Sequence, residues 1–352
     1  MRRIPLVLAS VVMAVVAGRA VAEQSTVFLD SLHEKAAISD GDRQMIRQWL
    51  GPQISALIAS TEPDRKALLA ARVAILFEGR KEGGNRSPAF LQAFAEETVK
   101  AIEAADRSAV SAEARLNLFM VAGSLKRPET VPLLLAALQK EPYAASKYWA
   151  ARGLNLTADA VIENPTPRLE QDMADGVGKA LEVDLPSVTE MQLFEMLGKL
   201  DHERAHDVLA DSLGKFIQHE TAADPIVSQI LASAIPALEK AYAREVRPEA
   251  KVKILSAYAM LCAWIMPPAA DPTLLFTINA SLEKITGEKV GFQQGEPVFE
   301  KMAMMEWVTQ LVRTKKIAKL PPLPPAIEDV IKEYRGTGGA APAAPAPAPE
   351  SK

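Results

Sequence analysis

A chain of 352 residues, 49% hydrophobic and 24% charged, can bury one large core or two ordinary ones, which excludes a wholly unfolded polymer. Its 40 basic residues face 44 acidic ones with no basic run in the body, which argues against a phosphate-tracking surface; no nucleic-acid partner is expected. Cys262 is the single cysteine, so an intramolecular disulfide and a cysteine-based metal site are excluded.

The first 22 residues read as an address. Arg2 and Arg3 make a positive start, Ile4–Gly18 is an uncharged and mostly apolar stretch of 15 residues, and Ala20-Val21-Ala22 has the small-x-small pattern of a cleavage site. The stretch is shorter than the roughly 20 residues that span a bilayer comfortably. Cleavage after Ala22 leaves 37 basic against 44 acidic residues, a charge of -7. The expected destination is the periplasm or the exterior, with no membrane span left; a retained anchor stays open as the alternative. No cysteine stands directly after the apolar stretch, so a lipoprotein anchor is not expected.

From residue 23 onward the pattern is helical. Aromatics are only 5% and alanine is abundant, a balance that suits close-packed helices. Residues 23–110 form an N-terminal helical region on periodicity alone. Leu91, Phe94, Thr98 and Ile102 step by 3, 4 and 4, with Glu96, Glu97, Lys100 and Glu103 on other faces. Ser87-Pro88 marks a helix start: the serine caps and the proline fills the first turn, where its missing N–H costs nothing. Pro128 and Pro142 read as further starts. Residues 155–167 read as a long connection. Ser187 with Glu190 reads as a capping box. Leu209, Leu213, Phe216 and Ile217 form the next stripe, followed by Val227, Ile230, Leu231, Ala234, Ile235 and Leu238. Asp224-Pro225, Pro248, Asp271-Pro272 and Pro297 open later helices. About fourteen helices are expected between Val27 and Tyr334. Sustained two-residue alternation is lacking, so no strand is expected.

An internal repeat organises the middle of the chain. Asn117–Leu138 and Gln192–Leu213 match at an offset of 75 residues through Leu118/Leu193, Phe119/Phe194, Gly123/Gly198, Leu125/Leu200, Leu134/Leu209 and Leu138/Leu213. The identities are apolar positions plus one glycine, while the mismatches are mostly polar. A repeating helix pair needs this: one buried stripe, free choice outside. The offset is two units of about 37–38 residues, near the period of HEAT-class repeats.

On these residues the chain resembles the HEAT-repeat family of exported bacterial type. Ala122-Gly-Ser-Leu-Lys-Arg-Pro-Glu-Thr-Val-Pro-Leu-Leu looks like a turn and second-helix start, Tyr148-Trp-Ala-Ala-Arg-Gly-Leu like the end of a first helix, and Leu197-Gly-Lys-Leu-Asp-His-Glu-Arg-Ala like another turn. Leu282-Glu-Lys-Ile-Thr-Gly-Glu-Lys-Val-Gly-Phe, with Trp307, is similar to a closing segment. The resemblance implies an all-α, HEAT-like α-solenoid over 111–335: a right-handed superhelix of antiparallel helix pairs that binds proteins, usually along its concave face. The long connections at 155–167 and 266–271 could bend it or split it into two lobes. The function implied is an exported scaffold that binds one or more protein partners in the cell envelope, without catalysis, cofactor or metal.

His202-Glu203-Arg204-Ala205-His206 fits the H-E-x-x-H pattern, in which two histidines on one helix face bind zinc and the glutamate activates water. A zinc-dependent metallopeptidase is therefore the alternative. Three features oppose it. The repeat aligns His202 and Glu203 with Arg127 and Pro128, a turn and a first helical residue. Arg204 sets a cation between the ligands. No third ligand is fixed, although His219 or Glu220 could be proposed, and catalytic zinc wants three.

Weaker signals have plain readings. Cys262 lies in an apolar run and reads as a buried small hydrophobe. His33 reads as a surface residue. Gly83-Gly84-Asn85 is a loop without the rest of a phosphate-binding pattern. Asn85, Asn155 and Asn279 begin sequons. Met302, Met304, Met305 and Trp307 read as core, with an adaptable docking face as the minor alternative. Leu320-Pro-Pro-Leu-Pro-Pro should be extended, a last helix is expected at 326–334, and 336–352 lacks large apolar residues and should be disordered.

Overall fold

The computed structural model describes residues 29–59, 65–80, 85–106, 111–183, 185–219, 225–265 and 272–286. The fold is all-α, with no strand among the described residues. The expected leader, the Met302–Trp307 cluster, the last helix and the tail lie outside them. The helices are α1 Asp40–Ile58, α2 Arg65–Gly79, α3 Pro88–Asp106, α4 Ala112–Ser124, α5 Val131–Lys140 and α6 Ala144–Glu163. They continue as α7 Pro167–Ala180, α8 Ser187–Lys199, α9 Glu203–His219, α10 Pro225–Arg244, α11 Pro248–Trp264 and α12 Pro272–Thr286. The chain divides into two compact units, Met1–Val208 and Leu209–Lys352.

Helix starts follow the proline signals. α3, α10, α11 and α12 each begin on the proline that the sequence marked, and Ser87 Oγ accepts the Phe90 N–H at 3.1 Å. The capping box lies elsewhere than expected. α8 starts one residue early, because the Pro186 carbonyl accepts the N–H groups of Thr189 (2.7 Å) and Glu190 (3.2 Å); Ser187 is already helical and caps nothing. The reciprocal box is at Ser39, whose Oγ accepts from Asp42 N while Asp42 accepts from Ser39 N.

The expected long connection at 155–167 is also corrected. α6 runs unbroken to Glu163, leaving only 164–166 as a link. Leu154, Ala158 and Val161 hold a helical stripe that packs inward, and Asn155 is fixed by Gln192 and Glu195 of α8 at 3.1 and 2.9 Å. Tyr148–Leu154 accordingly lies inside α6, not at the end of a helix.

In the first unit the helices stack in two rows. α4 packs on α6 and α6 on α8, while α5 packs on α7 and Val208 of α9 comes against Gly178 of α7. Every apolar residue of the repeat match is buried, from Leu118 and Phe119 through Leu209 and Leu213. Gly123 has its own reason. A Cβ there would sit 2.7 Å from Gly153 Cα and 3.1 Å from the Trp149 carbonyl oxygen, so α4 and α6 cross backbone to backbone. Ahead of this stack, α1 packs on α2, α3 and α4 around Trp49, Leu50, Phe90 and Phe94.

In the second unit α10, α11 and α12 pack on one another. Tyr258 joins all three. Its hydroxyl is 2.6 Å from Ser281 Oγ on α12 and 3.3 Å from the Ile235 carbonyl on α10, and Ser281 Oγ donates to Glu239 Oε2 at 3.1 Å. Burial pushes the Tyr258 phenol well above its ordinary value.

Candidate functional site

The H-E-x-x-H residues do not stand together on a helix face. His202 precedes α9 as its cap: its carbonyl accepts from Ala205 N (2.9 Å) and His206 N (3.3 Å), and its Nδ1 accepts the Arg204 N–H at 3.1 Å. This is the register of Arg127, the cap before Pro128, as the 75-residue offset requires. Glu203 is exposed, whereas His206 is buried. Arg204 turns to Asp175 on α7 at 2.5 Å. His219 and Glu220 have no described side chains. Among the described residues, no group of three or more His, Cys, Asp or Glu is placed to hold a metal ion.

Cys262 is fully buried, and burial pushes its thiol well above the ordinary range, away from nucleophilic chemistry. His33 is not the expected surface residue. Only 13% of its side chain is exposed; Nε2 meets Glu78 at 2.8 Å and the ring stands edge-on to Phe90. Glu78 is buried and also receives the buried Arg86 at 3.0 Å, so one carboxylate ties His33, 45 residues away, to Arg86. Of the sequons, Asn85 is exposed at a bend, whereas Asn155 and Thr157 are buried inside α6 and Ser281 is buried in α12.

A second charged cluster pins α1 to α3. Glu97 is wholly buried and accepts from Lys100 (2.9 Å), Arg47 (3.0 Å) and Arg43 (3.2 Å); Arg43 also meets Glu96 at 2.6 Å. Burial pushes the Glu97 carboxyl up, but the hydrogen bonds from Lys100, Arg47 and Arg43 outweigh it and hold the group ionised. Beside it a groove of about 410 Å³ runs along Gly51, Ile54 and Ala101.

The second row carries a comparable cleft of about 410 Å³ between α5 and α7. Leu135 and Ala136 line one wall, Asp172, Asp175 and Gly176 the other, and Lys140 and Lys179 stand at its edge. Gly176 makes the cleft's floor possible, because a Cβ there would meet Leu135 side-chain carbons at 2.7 Å. Its size falls within the usual range of small pockets, roughly 300–1,000 Å³, and its walls are mixed rather than apolar. Such a surface can accept a partner's side chains. It offers no nucleophile paired with a base.

Sequence reasoning missed the outer face of α2. Leu69, Val73 and Phe77 are 48%, 66% and 55% exposed. The signal was present: α2 carries more apolar residues than one buried stripe can absorb, with Leu68, Ala71 and Ile75 already filling the inner face.

Compared with known proteins, the chain matches no family model and no curated sequence.

Proposed function

We propose that the chain is an exported, HEAT-like helical-repeat scaffold that binds a protein partner in the cell envelope and performs no catalysis. The observation that carries the reading is the two-row stacking in the first unit, α4, α6 and α8 in one row and α5 and α7 in the other, through repeated apolar positions. In such an array each pair buries its stripe against its neighbours, and the outer surfaces of the rows are free to bind. The second-helix row is the face expected to bind, and the α5–α7 cleft is its most indented part.

A photo-crosslinking residue at Gln139, beside that cleft, tests the reading in exported fractions of the native cells. One partner should be captured in stoichiometric amount, and Ala136→Trp, which fills the cleft, should abolish the capture. Capture unchanged by Ala136→Trp would move the binding face elsewhere; no capture, together with a hydrolytic activity lost in His202→Ala, would reverse the reading in favour of the zinc enzyme.

A further inference from the structure

We infer that the α5–α7 cleft holds a partner's amphipathic helix running antiparallel to α5 and α7, with its acidic first turn on Lys140 and Lys179. The inference rests on the reading of this cleft as the partner's seat and names what the partner presents there.

The two walls share a direction. The links 141–143 and 164–166 are short and each reverses the chain, so α5 and α7 run parallel. Against α7, α9 keeps that direction: Asp175 meets Arg204, and Gly178 meets Val208. Leu135 stands over Gly176. At a rise of about 1.5 Å per residue, Lys140 and Lys179 lie about 8 and 5 Å beyond that crossing, and Asp172 about 6 Å before it. The cleft thus runs from a cationic end over an apolar floor to an acidic end, with about 10 Å between Lys179 and Asp172 along α7.

The charges at the two ends are unspent. Lys140, Lys179 and Asp172 are exposed, and among the described residues none of them forms an ion pair or a side-chain hydrogen bond. Lys179 pairs neither with Asp175, one turn before it, nor with Glu182 after it, and Asp172 does not pair with Arg168. The nearest competitors are committed elsewhere. Glu141, next to Lys140, is buried on Arg115 at 2.7 Å, and Asp175 holds Arg204.

The order of the charges selects the occupant. Helices gather acids in the first turn and bases in the last, where they face the positive and negative ends of the macrodipole. Laid antiparallel, such a helix sets its acids on the two lysines, an apolar residue one turn later over Leu135 and Gly176, and a base seven positions on against Asp172. Its macrodipole then opposes those of α5 and α7. Laid parallel, it would bring acids to Asp172 and bases to the lysines. A surface of one sign, such as a nucleic acid or an anionic bilayer, would be repelled at the Asp172 end.

The test places the photo-crosslinking residue on the full chain at Gln139, beside the lysines, and separately at Pro132, towards Asp172; both positions are exposed on α5. Mass spectrometry of the captured peptides reads which partner residue each probe labels. The Gln139 label should fall within one turn of acidic residues. The Pro132 label should fall about seven residues nearer the partner's C-terminus, since about 10 Å is seven residues of helix. Lys140→Glu with Lys179→Glu should lower capture roughly tenfold, as exposed attractions become repulsions. A spacing of about three residues would mean an extended segment, and a Pro132 label nearer the partner's N-terminus would mean a parallel helix. Either overturns the inference, as does a Gln139 label with no acid within a turn, or capture unchanged by the lysine substitutions; the cleft remains the partner's seat in all four cases. Capture of a second copy of this chain overturns it too. No capture from either position, or capture untouched by Ala136→Trp, removes the underlying reading and the inference with it.

Discussion

Gly123→Ala puts the stacking of α4 on α6 to a direct test. In an ordinary helix the change would be favourable by about 0.5–1 kcal/mol. Here the new methyl would sit 2.7 Å from Gly153 Cα and 3.1 Å from the Trp149 carbonyl oxygen. Those are backbone atoms of a helix held on its other side by α8, so no rotamer change relieves the contact. The helices must part, and the overpacking should cost about 2–3 kcal/mol, the upper part of the usual range. The net loss is then about 1–2.5 kcal/mol. Gly214→Ala is the counterpart: it is also a buried helical glycine, but its Cβ would meet Met260 Sδ at 3.5 Å, an ordinary contact with a flexible side chain, and it should gain about 0.5–1 kcal/mol. Gly123→Ala and Gly153→Ala target one crossing, so the double variant should cost less than the sum of the two. Native-state hydrogen exchange of the α4 and α6 segments reads the loss locally, and urea unfolding followed by circular dichroism reads it globally. A Gly123→Ala protein as stable as the parent, with unchanged exchange in α6, would refute the close crossing and with it the packing of the repeat.

Other outcomes follow from single sites. Glu78→Ala leaves the buried Arg86 beside a hole and His33 without its acceptor; it should cost about 3–5 kcal/mol in denaturant unfolding, whereas Glu78→Gln, which keeps a hydrogen-bond acceptor, should cost less. Asp42 is held at about 2, first by the Lys35 hydrogen bond and then by the Ser39 backbone. A depressed carboxylate stabilises the fold above its unfolded value near 4 and loses that contribution as pH falls towards 2. The contribution is about 1 kcal/mol once the exposure of Lys35 is allowed for, so Asp42→Asn should flatten the pH dependence of stability between about 4 and 2. Chelator-free protein should carry well under one zinc per chain by elemental analysis, because His202 is a helix cap while His206 is buried inside α9. Expressed in a glycosylating host, the chain should take no glycan at Asn155 once folded, since Asn155 and Thr157 are enclosed in α6; mass spectrometry of the peptide decides.

The helical class was legible in the sequence because its cause is local. Spacing of apolar residues and prolines in first turns act within a few positions, and Pro88, Pro225, Pro248 and Pro272 open helices as marked. The repeat was legible too, since a buried stripe restricts residue choice at both copies; Leu118 and Leu193, Leu138 and Leu213 are all inside. The aligned repeat also placed His202 at a helix cap rather than on a ligand-bearing face.

Contacts between remote segments were not legible, and they decided the rest. Nothing near His33 in sequence announces Glu78, 45 residues away, or the Phe90 ring that it meets. Residues 155–167 read as a long connection; two partners on α8 hold Asn155 within the helix. Periodicity put Glu97 only on a face other than the apolar stripe; α1 brings Arg43 and Arg47 over it and buries it. The line of Leu69, Val73 and Phe77 carries the same limit. Periodicity tells which residues share a helix face, but only the packing of α2 on its neighbours determines which of its two apolar faces is left to water.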